Sequence, residues 1–412
     1  MKRLATLPFI LAIAACSHAS GPPRVADSVD ATNACRVPPP ADVRSAAQSN
    51  NAFGVSLYQQ LSKAEENLVI SPGSLGIALN MLRAGAGGET KRQLESALRV
   101  QLPDERTHAA LGGLSICYGD TEGRPYELVL ANRIFAETHR PVQEPFLGAM
   151  SRYGATAEIV DFGATEAARV YINDWVKDTT KQHIKDLLPR GSITPLTSMV
   201  LTNAIYFKGH WQQEFKKADT QPGRFDAPGG PREVPTMSSE GRHRFLQTEK
   251  AQLVELAYTG DRFAMDLLIP AEVNGLAALV SNLDAKELER WLDEAEPHEL
   301  QLALPRFKLG AAKSVTLKKL LQAMGIVDAF EDGKADLDGL FGGGDWVSDV
   351  YHQSFVEVNE EGTVAAAATG VVVTTEAPGG KLHVRADRPF LFLIRDVHTG
   401  FILFMGQVAD PS

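Results

Sequence analysis

The chain has 412 residues, 44% of them hydrophobic and 22% charged, with a formal net charge of −10. That length suffices to bury a large core as one big domain or two, and the acidic balance argues against a general nucleic-acid binder. The short basic stretches Lys216-Lys217, Arg242-His243-Arg244 and Lys318-Lys319 fit solvated faces better than a binding patch.

At the N-terminus, Met1-Lys2-Arg3 precedes the apolar run Leu4–Ala15, which falls short of the ~20 residues of a stable transmembrane helix. The pattern predicts an export signal over residues 1–15. Its ending, Ile13-Ala14-Ala15-Cys16, resembles the lipobox of bacterial lipoproteins, where the cysteine becomes the lipidated first residue. Ser17 at the next position favours the outer membrane within that resemblance. Residues 16–47 contain Pro22-Pro23 and Pro38-Pro39-Pro40 without an apolar period, and are expected to be a flexible tether ahead of a domain over 48–412. Cys35 and Cys117 form an even pair in an oxidising compartment, and spacing admits either a disulfide or two free thiols.

In the globular part, Phe53, Leu57, Tyr58 and Leu61 recur at helical spacing. Asn67–Pro72 reads as a short strand ending in a turn, Leu75–Leu82 as a buried helix broken by Gly85–Gly88, and Glu89-Thr90 as the start of a helix carrying Leu94 and Leu98. The Gly85-x-Gly pattern is no nucleotide loop, because it follows a helix and lacks an acidic ribose ligand. Leu128–Phe135 is expected as a strand, and Tyr171–Leu188 as a helix with Ile172, Trp175, Val176 and Thr179 on one face. Ser198–Phe207 is a near-continuous apolar strand, buried on both sides. Strands follow at Gln252–Tyr258 and Phe263–Ile269, then helices at Leu276–Leu279 and Ala285–Asp293. Leu300–Pro305 is a strand and Val315–Met324 a helix. Phe390–Ile394 and Phe401–Val408 are apolar strands joined through Asp396–Gly400. Helices early and strands late indicate an α+β fold.

One stretch organises the rest. Phe355–Asn359 alternates as a half-buried strand, but from Gly362 to Thr375 there is no charge, no proline and nothing large. Such a segment makes a poor solvent loop and passes easily into a β-sheet, since no missing N–H breaks the ladder and no charge is desolvated. With period two, Thr363, Ala365, Ala367, Thr369, Val371 and Val373 share one face. Glu376, Pro378, Gly379 and Gly380 then mark an exposed turn.

No Gly-x-Ser-x-Gly elbow, His-Glu-x-x-His helix, Cys-x-x-Cys pair or histidine cluster is present, so neither a serine hydrolase nor a metal or cofactor site is indicated. Scattered carboxylates leave a glycosidase open to pattern alone. The expectation is that the protein is not an enzyme.

Five blocks resemble the serpin family, in order and over essentially all of 48–412. These are Asn67–Ser74 with Leu79–Leu82, Leu201–Trp211, Leu304–Lys308 with Leu317–Asp336, Tyr351–Thr363 with Ala365–Ala368, and Ala386–Phe392. The resemblance implies an α+β fold of three β-sheets with about nine helices, in which the stretch after Glu360 is a reactive-centre loop. It implies a suicide inhibitor, acting as a monomer. A serine protease cuts the loop and forms an acyl-enzyme, and the cut loop enters the main sheet before the acyl bond hydrolyses.

Carried over residue by residue, the hinge is Glu360, Glu361, Gly362, Thr363, Ala365, Ala366, Ala367 and Ala368. The breach holds Arg306 as basic partner of Glu360, with Trp211 packed there, and the shutter comprises Ser71, Ser74, Asn203 and His352. Val364 departs from the family, where an acidic residue is common, on the face opposite Thr363. Spacing from the hinge sets the reactive bond at Glu376–Ala377, which suits a glutamate-specific protease; spacing from Pro389 lands near Pro378, and cleavage after Val373, Thr374 or Thr375 would suit an elastase-like one. A non-inhibitory member acting as a surface binding or decoy protein is the alternative; such members usually carry charged or bulky residues in the part of the hinge that enters the sheet, absent here from Gly362 onward.

Overall fold

The computed structural model describes residues 39–119, 123–138, 141–310, 314–363 and 382–412. Its first helix, α1 (Pro40–Leu61), begins inside the expected tether, and Val43, Ala46 and Ala47 are buried with Phe53, Leu57 and Tyr58. The tether expected through residue 47 is therefore too long. Pro40 starts a helix readily because the first turn has no partner for its missing N–H. Buried Asp42, Ser49 and Asn50 dilute the apolar period that would have announced it.

After β1 (Leu68–Ile70) come α2 (Pro72–Arg83), α3 (Gly88–Ala97) and α4 (Asp104–Gly119). Next are β2 (Tyr126–Glu137), α5 (Glu144–Ser151), β3 (Ala157–Val160), α6 (Thr165–Thr179) and β4 (Met199–His210). Four successive antiparallel strands follow, β5 (Gln221–Ala227), β6 (Gly230–Gln247), β7 (Ala251–Ala257) and β8 (Phe263–Pro270). Then come α7 (Leu276–Ser281), α8 (Ala285–Glu294), β9 (Glu296–Pro305), β10 (Phe307–Leu309), β11 (Val315–Thr316), α9 (Lys318–Ala323) and α10 (Asp338–Phe341). The chain closes with β12 (Val347–Asn359), β13 (Gly362–Thr363), β14 (Leu382–Arg385), β15 (Phe390–Asp396) and β16 (Ile402–Val408).

One ladder runs β1-β16-β15-β8-β7-β6-β9-β14, with β5 beside β6. Its long strand β6 pairs with β5 through 230–236 and with β7 through 244–247, so one hydrogen-bonded ladder serves two sheets. The seven-stranded sheet, ordered β10-β12-β13-β4-β2-β3 with β11 beside β12, is the third. The fold is α+β with three sheets, and ten α-helices lie among the described residues where about nine were expected.

Every residue of α2 is buried, and the helix packs between β4 of one sheet and β16 of another. The opposite face of the seven-stranded sheet lies under α6, where Phe135, Ile172, Val176, Val200 and Ala204 share a second core. The helix expected at Tyr171–Leu188 is thus α6, six residues earlier at its start and ending at Thr179. It ends there because the Thr180 hydroxyl donates to Val176 O (2.8 Å) and accepts from Ile184 N–H (3.2 Å), while Lys181 and Gln182 turn left-handed. Ile184, Leu187 and Leu188 nevertheless stay in the second core, which is why the apolar period outran the helix. Cys117 of α4 is disulfide-bonded; the other two cysteines, Cys16 and Cys35, lie outside the described residues.

Candidate functional site

Strands β4 and β12 lie side by side in parallel from Met199↔Val347 to Tyr206↔Phe355. Beyond that last pair they diverge, and β13 occupies the gap. Thr363 pairs with Gly209 on one side and Val358 on the other, antiparallel to both. The seven-stranded sheet is therefore forked at one end, with Gly362–Thr363 as the wedge. Gly362 (φ 151°) is required, because a Cβ would lie 2.0 Å from the Gly209 carbonyl oxygen.

The residues before the wedge are clamped. Arg306 donates to the buried Glu360 carboxylate through Nε (2.8 Å) and Nη2, and Thr220 Oγ1 donates to it at 2.5 Å. Burial alone raises the Glu360 pKa, but these hydrogen bonds and the Arg306 charge outweigh it and hold the carboxyl below its ordinary range. Glu361 receives Lys217 Nζ at 2.5 Å. Trp211 donates its indole N–H to Asn359 O (2.9 Å) and its backbone N–H to Glu361 O (3.0 Å). The same indole stacks on Tyr258 at 4.6 Å, and the Tyr258 hydroxyl bonds Thr363 Oγ1 at 2.6 Å. Arg306, Trp211, Glu360, Glu361, Gly362 and Thr363 thus form one constellation, to which Thr220, Lys217 and Tyr258 belong as well.

Midway along the β4–β12 pair, directly opposed Asn203 and His352 are joined through Asn203 Oδ1 and His352 Nδ1. His352 Nε2 accepts from Ser71 N–H at 3.0 Å, which places the imidazole proton on Nδ1. Asn203 Nδ2 donates to Ser74 Oγ (2.7 Å) and to Asn132 Oδ1 (2.5 Å). Ser71 caps the start of α2, its hydroxyl accepting from Ser74 N–H (3.1 Å) and donating to Leu403 O (2.5 Å). Burial lowers the His352 pKa from 6.5 to about 3, so the ring is neutral. Ser71, Ser74, Asn203 and His352 thus make a single buried network across the paired strands. Asn132 was missed, although a lone amide inside the apolar run Leu128–Phe135 was a visible signal.

The remaining candidates, namely Ala365, Ala366, Ala367 and Ala368 of the hinge, the bond Glu376–Ala377 and the lipidation site Cys16, lie outside the described residues. Among the described residues, no three His, Cys, Asp or Glu side chains gather as a metal site.

A family model described as "Serpin (serine protease inhibitor)" matches residues 48–411. Antithrombin-III of Mus musculus is 35% identical over 380 residues, covering 89% of this chain and 81% of that protein. Leukocyte elastase inhibitor of Homo sapiens is 35% identical, covering 89% of this chain and 99% of that protein. Among solved structures, uncleaved ovalbumin superposes with a TM-score of 0.80 at 29% identity, covering 89% of this chain and all of that one.

Proposed function

The chain belongs to the serpin family, a family of protease inhibitors rather than catalysts, and we propose that it is a suicide inhibitor of serine-type endopeptidases. One observation carries this reading. Strands β4 and β12 are adjacent and parallel, and the segment leading into the loop already forms a wedge between them. In the proposed reaction the protease serine attacks the loop carbonyl, the peptide C–N bond breaks, and the new amino terminus departs as the acyl-enzyme forms. The freed loop then zips downward between the strands, carrying the esterified protease with it.

Register supplies the detail. If the antiparallel pairing of Thr363 with Gly209 continues, Val373 comes opposite Met199, the first residue of β4. The uncharged stretch is therefore as long as the strand it would join, and Glu376 falls just beyond it. Thr369 would arrive between Asn203 and His352, where its hydroxyl can replace the bond that they make to each other. Ala365, Ala367, Val371 and Val373 would lie beside Phe207, Ile205, Leu201 and Met199, four residues of the main core.

We place the reactive bond at Glu376–Ala377 and the partner among glutamate-specific proteases, with an elastase-like protease if cleavage falls after Val373, Thr374 or Thr375. Export and a lipid anchor at Cys16 belong to the same reading, supported by Ile13–Cys16. Incubation with glutamate-specific and elastase-like serine proteases should give a covalent complex that survives SDS, and the mass of the released C-terminal fragment then locates the bond. Cleaved protein alone with every protease that cuts the loop would sink the inhibitor reading in favour of a surface binding protein.

A further inference from the structure

At the fork, directly below the wedge, Tyr206 and Phe355 are the last paired residues of β4 and β12. The His183 ring lies flat on Tyr206, with centroids 4.1 Å apart and planes 11° apart, and also stacks on Phe355 at 5.6 Å and 27°. One imidazole therefore covers both members of the pair that must part first. His183 belongs to neither strand. It stands in the turn after α6, which is built to present it.

Two successive non-glycine residues, Lys181 (φ 50°) and Gln182 (φ 69°), take the left-handed conformation that L side chains disfavour. That turn is held by Gln182 N–H on Lys177 O (2.7 Å), His183 N–H on Thr180 O (3.0 Å) and Ile184 N–H on the Thr180 hydroxyl. Ile184 is fully buried beside it, so the ring is set on the sheet by a fixed arm. Charges surround the stack without dominating it: Lys208 and Glu127 approach from β4 and β2, Glu357 and Lys308 from β12 and β10. Lys308 also lies over the Phe355 ring at 5.3 Å and pairs with Glu357.

Adjacent strands sit about 4.8 Å apart, and admitting one more strand moves them to about 9.6 Å. A ring that stays flat on Tyr206 loses its stack on Phe355 across that gap. We propose that His183 is a positioning residue that clips β4 to β12 at the fork, so that release of its stack sets how fast the loop enters relative to hydrolysis of the acyl-enzyme. This rests on the loop-insertion reading above. The stack matters for the partition between trapped and released protease, because only the fast route traps.

The test uses the full-length uncleaved protein, with His183→Ala to remove the ring and His183→Phe to keep a flat one. Amide exchange is followed in segments around Tyr206 and Phe355, with β8 and β15 as internal references. Loss of one or two aromatic stackings corresponds to an opening equilibrium raised about three- to tenfold. The clip predicts that rise in His183→Ala at β4 and β12 only, restored by His183→Phe, together with fewer inhibitor molecules consumed per protease trapped. Unchanged exchange at the fork, an equal rise in β8 and β15, or no rescue by His183→Phe would each overturn it. Failure of the wild type to trap any protease sinks the inhibitor reading instead, and the exchange comparison still decides whether His183 holds the strands together.

Discussion

Strands β8, β15 and β16 run antiparallel, unbroken between β15 and β8 and shifted in register only at Ile394/Arg395 between β15 and β16, and all of Leu267, Leu268, Leu391, Phe392, Leu393, Phe404 and Met405 are buried. Even the charges there are closed off, since Arg395 donates to buried Asp266 at 2.8 Å and to Glu255 at 2.5 Å. The β4–β12 seam is built otherwise. Its strands are parallel, its centre is a neutral polar network, and one end is already forked. Parallel pairing is slightly weaker per residue. Hydrogen bonds that can be exchanged for others part at less cost than interdigitated apolar groups, which have no second partner to go to. The molecule thus keeps one sheet shut by packing and another by replaceable bonds.

The largest effect is expected at Thr363. Replacing this buried residue with Arg forces a charge into the wedge, so the protein should shift from trapping to being cut as a substrate. An unchanged yield of covalent complex on a denaturing gel would count against insertion at that point. Asn203→Ala comes next. It strands His352 Nδ1–H and leaves Ser74 Oγ and Asn132 Oδ1 with only the bond they make to each other (3.0 Å), and should cost about 3 kcal/mol in urea unfolding. Leu393→Ala in the closed sheet should cost a similar amount, about 3 kcal/mol, by leaving a cavity. Only the Asn203 variant should change the ratio of trapped to cleaved protein; equal ratios in both would erase the distinction between the sheets.

Acid should weaken the seam. The unfolded chain protonates His352 near pH 6.5 and the folded chain only near pH 3, so its contribution is complete above 6.5 and is lost progressively as pH falls toward 3. Glu360 works lower: with a folded pKa below the ordinary 4.5, its contribution is complete above 4.5 and disappears as pH drops through the folded value. Urea midpoints should therefore fall from pH 7.5 to 4, and fall less in His352→Gln; parallel profiles for the two proteins would contradict this. The smallest effect is expected from Thr369→Val, which should leave the uncleaved protein's midpoint unchanged while weakening the inserted form by about 1 kcal/mol. Loss of stability before cleavage would show that the shutter is not waiting for that hydroxyl.

Much of this was legible before the structure. The apolar run Ser198–Phe207 announced β4, and the family motifs drew Glu360, Arg306, Trp211, Asn203 and His352 to their positions at the fork and seam. Helix α4 was not legible. Its buried positions include Thr107, His108, Gly112 and Ser115, so no apolar stripe betrays it. Thr220, Lys217 and Tyr258 were silent for another reason. Each meets the hinge from more than a hundred residues away, and nothing local marks a threonine as the donor to a distant carboxylate. The turn that carries His183 escaped because apolar spacing continues through Ile184, Leu187 and Leu188 after the helix has stopped.

Whether the loop fills this one gap in the sheet is decided by a structure of the protein cleaved in its loop. Thr363–Val373 should then be a full strand between β4 and β12, with Val373 opposite Met199, Thr369 between Asn203 and His352, and Tyr206 parted from Phe355. A cleaved molecule in which Tyr206 and Phe355 are still paired would contradict it.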